Sequence, residues 1–487
     1  MSAPFVFDNS YARDLEGFYT LWPGAVAPAP RILRLNTELA QELGLDPAAL
    51  DAEVLTGSRA PEGAQPLAMA YAGHQFGGFS PQLGDGRAIL LGEVIDSKGA
   101  RRDIHLKGSG RTPFSRGGDG KAVLGPVLRE YLIGEAMQGL GIPTTRALAA
   151  CTTGEQVLRQ NGPEPGAVLA RVAASHLRVG TFQFFAARRE VDRVAQLLDY
   201  AIARHDPDLA GKTASISDRA LAFLGRVTAR QADLIAAWMS VGFVHGVMNT
   251  DNMTISGETI DYGPCAFLDA HHPEAVFSSI DTQGRYAFGN QPGIAQWNLA
   301  RLAETLLSVI APGDAEQAIA PVTAVLEGFP DLYRDAWLRR MRAKLGLERA
   351  MAGDEALITG LLDLLTAHGA DFTRSFRALS GDRAVLTAMI SDRPALEDWL
   401  GRWQQRAAQE EAPPEAQAAR MRAANPVYIP RNHKVEEALT AAGQGDMAPF
   451  ERLLSLVSAP FDAVPGAEGH ALPAPAGFGP YRTFCGT

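Results

Sequence analysis

Hydrophobic positions along this 487-residue chain change their period several times, and the changes mark out its elements. Asn36-Thr-Glu-Leu-Ala-Gln-Glu-Leu-Gly-Leu combines an Asn cap, apolar residues at helical spacing and a glycine stop, which predicts a short helix. Ala88 to Val94 is a nearly unbroken apolar run. After the turn Asp96-Ser-Lys-Gly, Arg102 to Leu106 alternates polar and apolar, so a β-hairpin is predicted whose second strand delivers Lys107. Pro126 to Leu140 aligns Val127, Leu128, Tyr131, Leu132 and Met137 on one stripe, with proline at its start and Gly141 at its end. That pattern predicts a helix with Glu130 near the edge of its apolar face. Residues 190–245 read mostly as amphipathic helix, and 295–455 as a second helical block with a stripe through Tyr333, Trp337, Met341 and Leu345. Two glycine-dense stretches, Tyr71 to Arg87 and Gly108 to Lys121, flank the hairpin, residues 405–420 read as an exposed acidic loop or linker, and no internal repeat is visible.

Composition narrows the class. With 46% hydrophobic and 21% charged residues the chain can build a large core, which excludes wholesale disorder and fibrous architectures. A net charge of -10 argues against a nucleic-acid binder, although a local basic pocket for phosphates stays open. Three cysteines (Cys151, Cys265, Cys485) are too few for a disulfide scaffold and lack the CxxC spacing of a zinc site. The N-terminal residues show no basic-then-apolar leader, and the longest apolar run, Leu234 to Val244, falls short of the ~18 residues of a membrane span. The expectation is a soluble, reduced, cytoplasmic protein with neither nucleic-acid nor membrane partner.

The sharpest chemical signal is HGVMNTDNMTISGETIDYG, His245 to Gly263. Protein kinases use His-Arg-Asp-x-x-x-x-Asn, a short hairpin and Asp-Phe-Gly. Here His245 and Asn252 keep that separation, a Ser256-Gly257 turn predicts the hairpin, and Asp261-Tyr262-Gly263 replaces the last motif. An amide and a carboxylate oxygen suit a hard divalent cation that clamps phosphates. The position of the kinase base is Val247, which accepts no proton, and Asp251 is the nearest carboxylate to replace it. Upstream, Gly84-Asp-Gly-Arg87, Lys107 on a strand and Glu130 on a helix follow in kinase order, although the loop does not read GxGxxG. Taken singly, the glycine stretches also read as turns, Lys107 and Glu130 as solvated charges, Asp251-Asn252 as a turn pair, and Arg171 and Arg178 as surface charges. His271-His272 before Pro273 reads as a loop.

The segments 71–88, 106–124, 129–148, 242–264, 283–292 and 425–433 together resemble the selenoprotein O family, called YdiU in bacteria, over nearly the whole chain. The resemblance implies an α+β, protein-kinase-like bilobal fold: residues 1–70 as an N-terminal extension, 71–165 as a small nucleotide-binding lobe, 166–457 as a mainly helical lobe, and 458–487 as a tail. It implies a pseudokinase that moves AMP from ATP to Ser, Thr or Tyr hydroxyls of proteins, with the nucleotide flipped relative to a kinase. UMP transfer from UTP, phosphotransfer and a non-catalytic ATP-binding scaffold are the alternatives, and a monomer is expected. Carried over by residue, Lys107 contacts phosphates and Glu130 positions it, Asn252 and Asp261 hold Mg2+ or Mn2+, and Asp251 accepts the proton. Gly84, Gly86, Arg87, Asp119, Gly120, Arg171 and Arg178 match nucleotide-contacting positions. Bacterial relatives are thought to pair a C-terminal cysteine, here Cys485, with one in the loop after Asp-Tyr-Gly. That loop position is Phe277 in this chain, which leaves Cys265 as the substitute for a redox pair.

Overall fold

The computed structural model describes residues 5–160, 162–211 and 215–483 and shows a mixed α+β chain. Its strands are β1 (Tyr19–Leu21), β2 (Arg31–Leu35), β3 (Leu67–Met69), β4 (Gly73–Gln75), β5 (Gly78–Ser80), β6 (Ala88–Ile95), β7 (Arg101–Lys107), β8 (Ala122–Val123), β9 (Arg146–Arg159), β10 (Gly162–Ala173), β11 (Phe243–Val244) and β12 (Ala266–Phe267). Eight of them form one antiparallel sheet in the order β1-β3-β6-β7-β10-β9-β2, with β8 added on β10. The predicted hairpin is β6–β7, paired Ala88 with Lys107 and Ile95 with Arg101.

The period of two divides this sheet chemically. Ile104, Leu106, Val168, Ala170 and Val172 turn to one core together with Leu39, Leu43, Val54 and Leu55 from the Thr37–Glu42 and Ala52–Thr56 helices. His105, Lys107 and Arg171 alternate with them and share the opposite face, where Arg171 lies across from His105 in the β10–β7 register. The Leu124–Gly139 helix packs on β9 and β10, and Asn36 caps its own helix by accepting from Leu39 N–H at 3.0 Å. The largest core joins this helix to the long Ile216–Val241 and Gln291–Ile310 helices, whereas a separate core fills the helical region beyond residue 338. No helix among the described residues is long and apolar enough to cross a membrane.

Three expectations change. The helix carrying Glu130 begins at Leu124 rather than Pro126. The segment around Ser256-Gly257 makes no ladder with itself: Thr254 bridges Arg178 and Thr259 bridges Thr144, because pairing with two neighbouring elements satisfies the same backbone groups. Residues 405–420 are not a loop, since the Arg393–Ala407 helix runs into them and a new helix, Pro414–Ala424, starts with proline at a position where its missing N–H costs nothing. The long β9–β10 hairpin is absent from the sequence reading because its Ala, Gly and Pro content gives weak strand propensity, which central placement in the sheet overrides.

Candidate active site

β11 and β12 pair across the ends of the His245–Cys265 segment, so that segment is held as a closed loop over the sheet face that carries Lys107. Within it, Thr250–Asn252 forms a single 3-10 turn, and His245 Nε2–H donates to Ile260 O at 2.8 Å, tying the two halves together. Asp261 adopts φ +60°, a left-handed conformation that is uncommon outside glycine and concentrates at functional sites.

Three cations converge on Asp261. Lys107 Nζ donates to Oδ1 at 2.8 Å, Arg171 Nη1 to the same oxygen at 2.7 Å, and Arg178 Nη1 to Oδ2 at 2.6 Å. Glu130 braces two of them, accepting from Lys107 at 2.6 Å and from Arg171 at 2.9 Å. Burial alone would raise both carboxyls. The Arg171, Lys107 and Arg178 charges outweigh it and hold Asp261 well below the usual carboxylate range, and Lys107 and Arg171 hold Glu130 below its ordinary value. Lys107, Arg171 and Arg178, held by Glu130 and Asp261, line a cleft of about 470 Å³ together with Asp251, which puts three cations within reach of an anionic ligand there. The arginines expected at the surface are buried, at 2% exposure each. Arg178 also lies over the Tyr71 ring, 4.6 Å from its centroid.

Asp251 sits at the edge of this cluster in a different environment. Its Oδ2 accepts from Gln75 Nε2 at 3.1 Å, and its buried Oδ1 has no partner. Burial pushes its carboxyl up to about 6, against the lowering influence of Arg178. A group poised there is ionised at pH 7 yet remains a usable base. Val247 lines the same cleft, so the departure from the kinase pattern lies where the chemistry would occur.

The other expected positions form the rim. Gly84, Gly86, Arg87, Asp119 and Gly120 all line the cleft. Gly84 has φ +76°, and a Cβ there would meet Phe114 Cγ at 2.3 Å, so only glycine lets the loop close over that ring. Asp119 does not point at the cationic floor: it accepts from Arg159 Nη1 at 2.7 Å and from Lys121 N–H at 2.9 Å, fixing the rim loop instead. Asn252 donates its amide N–H to Val247 O at 2.9 Å, which fixes the side chain at the cleft and leaves its amide oxygen as a candidate ligand. Among the described residues no group of three or more His, Cys, Asp or Glu side chains could hold a metal alone. An Asn252 oxygen, the remaining acceptor site of Asp261 and phosphate oxygens together nonetheless make the all-oxygen set that Mg2+ or Mn2+ takes. Cys265 is fully buried, with its thiol pushed up to about 11 by burial, and Cys485 lies outside the described residues. Thr483 bonds Phe277 O at 2.8 Å through its N–H and Pro264 O at 2.8 Å through its hydroxyl.

Sequence reasoning missed Tyr71, Gln75 and His105. The first two lie in the glycine-dense stretch it singled out. His105 precedes Lys107 by two residues, and its Nδ1 accepts from Arg171 Nε at 3.2 Å while Nε2 meets Asp85 Oδ2 at 3.1 Å. Period-two spacing from Lys107 is the signal that would have flagged it.

A cationic floor, a glycine loop and a lone carboxyl tuned near neutrality define a phosphate-handling enzyme site. The family model described as Protein adenylyltransferase SelO matches residues 4–458, and the chain belongs to that family. It is 62% identical over 490 residues to a protein of Cereibacter sphaeroides called Protein nucleotidyltransferase YdiU, covering 99% of this chain and 100% of the relative. Proteins with the same description from Chromobacterium violaceum and a Bradyrhizobium species are 58% identical over 470 residues and 54% identical over 497 residues, covering 94% and 100% of this chain and 97% and 100% of the relatives. The chain is accordingly an enzyme of nucleotidyl transfer.

Proposed function

We infer that this chain is a protein adenylyltransferase built on a kinase-like two-lobed scaffold, transferring AMP from ATP to a Ser, Thr or Tyr hydroxyl. The observation that carries the reading is the separation of roles between two carboxyls. Asp261 is locked ionised by Lys107, Arg171 and Arg178, whereas Asp251, beside it, has no cation on its side chain and a carboxyl raised by burial.

In this mechanism the cationic floor holds the triphosphate, and Arg171 and Arg178, which have no counterpart among the kinase elements, supply charge for a chain of phosphates laid in the flipped direction. The acceptor oxygen attacks the α-phosphorus, the bond from that phosphorus to the bridging oxygen breaks, and pyrophosphate leaves. Asp251 takes the hydroxyl proton. A divalent ion on Asn252 and Asp261 would neutralise phosphate charge when bound. Lys107, held by Glu130, stabilises negative charge that grows on the leaving group.

The test is incubation of wild type and Asp261→Asn with lysate and Mg2+ or Mn2+, using ATP labelled at the α- or the γ-phosphate. Label on protein from the α-position alone, lost in the variant, is the expected outcome. Label from the γ-position would instead make the protein a kinase. A parallel arm with α-labelled UTP decides which base is used.

A further inference from the structure

The motif Gly73-His-Gln-Phe-Gly-Gly-Phe-Ser folds into the two-stranded hairpin β4–β5, and none of its residues is accounted for by phosphate binding. The hairpin is pinned to the catalytic loop. His74 N–H donates to Thr250 Oγ1 at 2.7 Å, Gln75 Nε2 to Asp251 at 3.1 Å, and Phe76 N–H to both Asn249 Oδ1 and Tyr286 Oη at 3.1 Å. The approach is close: a Cβ on Gly73 would fall 2.6 Å from Asp251 Oδ1.

Phe76 has φ +51°. A bulky residue in the left-handed region is strained, and such strain persists only where the surroundings over-determine it. Here the hairpin turn does so: Phe76 and Gly77 (φ +87°) are the two residues between the paired Gln75 and Gly78, and a two-residue turn of this kind needs positive φ at both. Glycine or asparagine is the usual residue there, yet the position holds a phenylalanine that stays 36% exposed, stands 5.0 Å from the Tyr286 ring between centroids and lines the cleft with Ile280, itself 51% exposed. Phe79, 42% exposed, stands on the opposite strand of the hairpin and contacts His74, with ring centroids 4.9 Å apart. Phe76 and Ile280, two part-exposed apolar side chains lining the cleft that also holds Asp251, are an unfilled contact surface.

We propose that the β4–β5 hairpin is the acceptor platform of the enzyme, with Phe76 as an apolar wall for a protein segment that carries an aromatic or aliphatic residue beside the modified hydroxyl. The proposal rests on the reading of Asp251 as proton acceptor. A phenylalanine at a turn position that favours glycine or asparagine places an apolar side chain at the cleft at a cost in backbone strain. The expected nucleotide contacts, Gly84 to Arg87 and Lys107, belong to other elements of the same cleft, so the platform is expected to act on the acceptor rather than on ATP.

The probe is an immobilised pool of synthetic peptides with a central Ser, Thr or Tyr and randomised flanks. It is read in two ways: transfer of label from α-labelled ATP with Mg2+, and retention of the protein with Mg2+ and an ATP analogue carrying a methylene between the α- and β-phosphorus. Peptides with an apolar residue adjacent to the hydroxyl are expected to dominate both readouts. Phe76→Gly, which suits the left-handed backbone, is expected to keep the melting temperature within about 2 °C and the ATP-induced thermal shift intact. Its KM for the selected peptides should rise at least tenfold, and Phe76→Tyr should restore it. Labelling indifferent to flanking residues, or an unchanged KM in Phe76→Gly, overturns the platform. Retention of apolar-flanked peptides without any α-label upholds the platform and overturns the transferase reading instead.

Discussion

Two buried arginine–carboxylate clusters in this molecule are made of the same groups and do different things. In the helical region Arg431, fully buried, donates to Asp269 at 2.5 Å, to Asp371 at 2.6 and 3.1 Å, and to Ala471 O at 2.9 Å. One cation there meets two carboxylates and a carbonyl, joining the segment after β12, a helix start and the tail into one unit. In the cleft, three cations meet Glu130 and Asp261, and the group lines open space together with Asp251. Both clusters are costly to desolvate, and both hold their partners in place. Access separates them: Arg431 is enclosed and fixes tertiary structure, whereas Lys107, Arg171 and Arg178 line a cleft where a ligand can reach them.

That contrast breaks most sharply at its centres. Asp261→Asn removes the anchor for three cations and is expected to lower α-label transfer on the order of 10³-fold, measured under saturating ATP. Arg431→Met should leave turnover per folded molecule unchanged but cost about 3–5 kcal/mol of stability in urea unfolding, because the buried Asp371 and the part-buried Asp269 lose the cation they share. A large loss of turnover in folded Arg431→Met would erase the distinction between the clusters. Arg178→Lys keeps the charge and loses the planar guanidinium that lies over Tyr71 and whose Nη1 donates to both Asp261 and Asp251 O. A tenfold to hundredfold loss in kcat/KM for ATP is expected, corresponding to about 1.5–3 kcal/mol for a hydrogen bond between charged groups.

The smallest effect is the pH profile. Asp251 must be deprotonated to accept the hydroxyl proton, and its folded value is raised to about 6. The transfer rate should therefore be nearly flat above pH 7, fall about twofold by pH 6, and drop about tenfold per unit below that. In Asp251→Asn that acid limb should vanish together with most of the rate. Persistence of the limb would assign it to another group.

Much of the site was legible because its residues recur in a fixed order on predictable elements. Lys107 at a strand end, Glu130 on the following helix and Asp261 after the loop all stand where the pattern placed them, and they meet within 2.6–2.8 Å. Asp119 was expected as a nucleotide-contacting position and not as the partner of Arg159, since that strand was not foreseen. Arg171 and Arg178 looked like surface charges because local spacing carries no information on a partner 90 or 83 residues away. The hairpin at Phe76 was visible only as glycine density: its turn is local, but the contacts to Asn249 and Tyr286 that hold it against the catalytic loop come from residues far along the chain.

The sequence by itself determined which side chains are available and which local backbone delivers them: the β6–β7 hairpin, the Glu130 helix and the loop ending at Asp261. Tertiary structure decided their charge states and their company. Burial shifts Asp251 up, whereas three distant cations shift its neighbour Asp261 down. Desolvation and Coulomb energy depend on everything packed within a few ångströms, irrespective of separation along the chain.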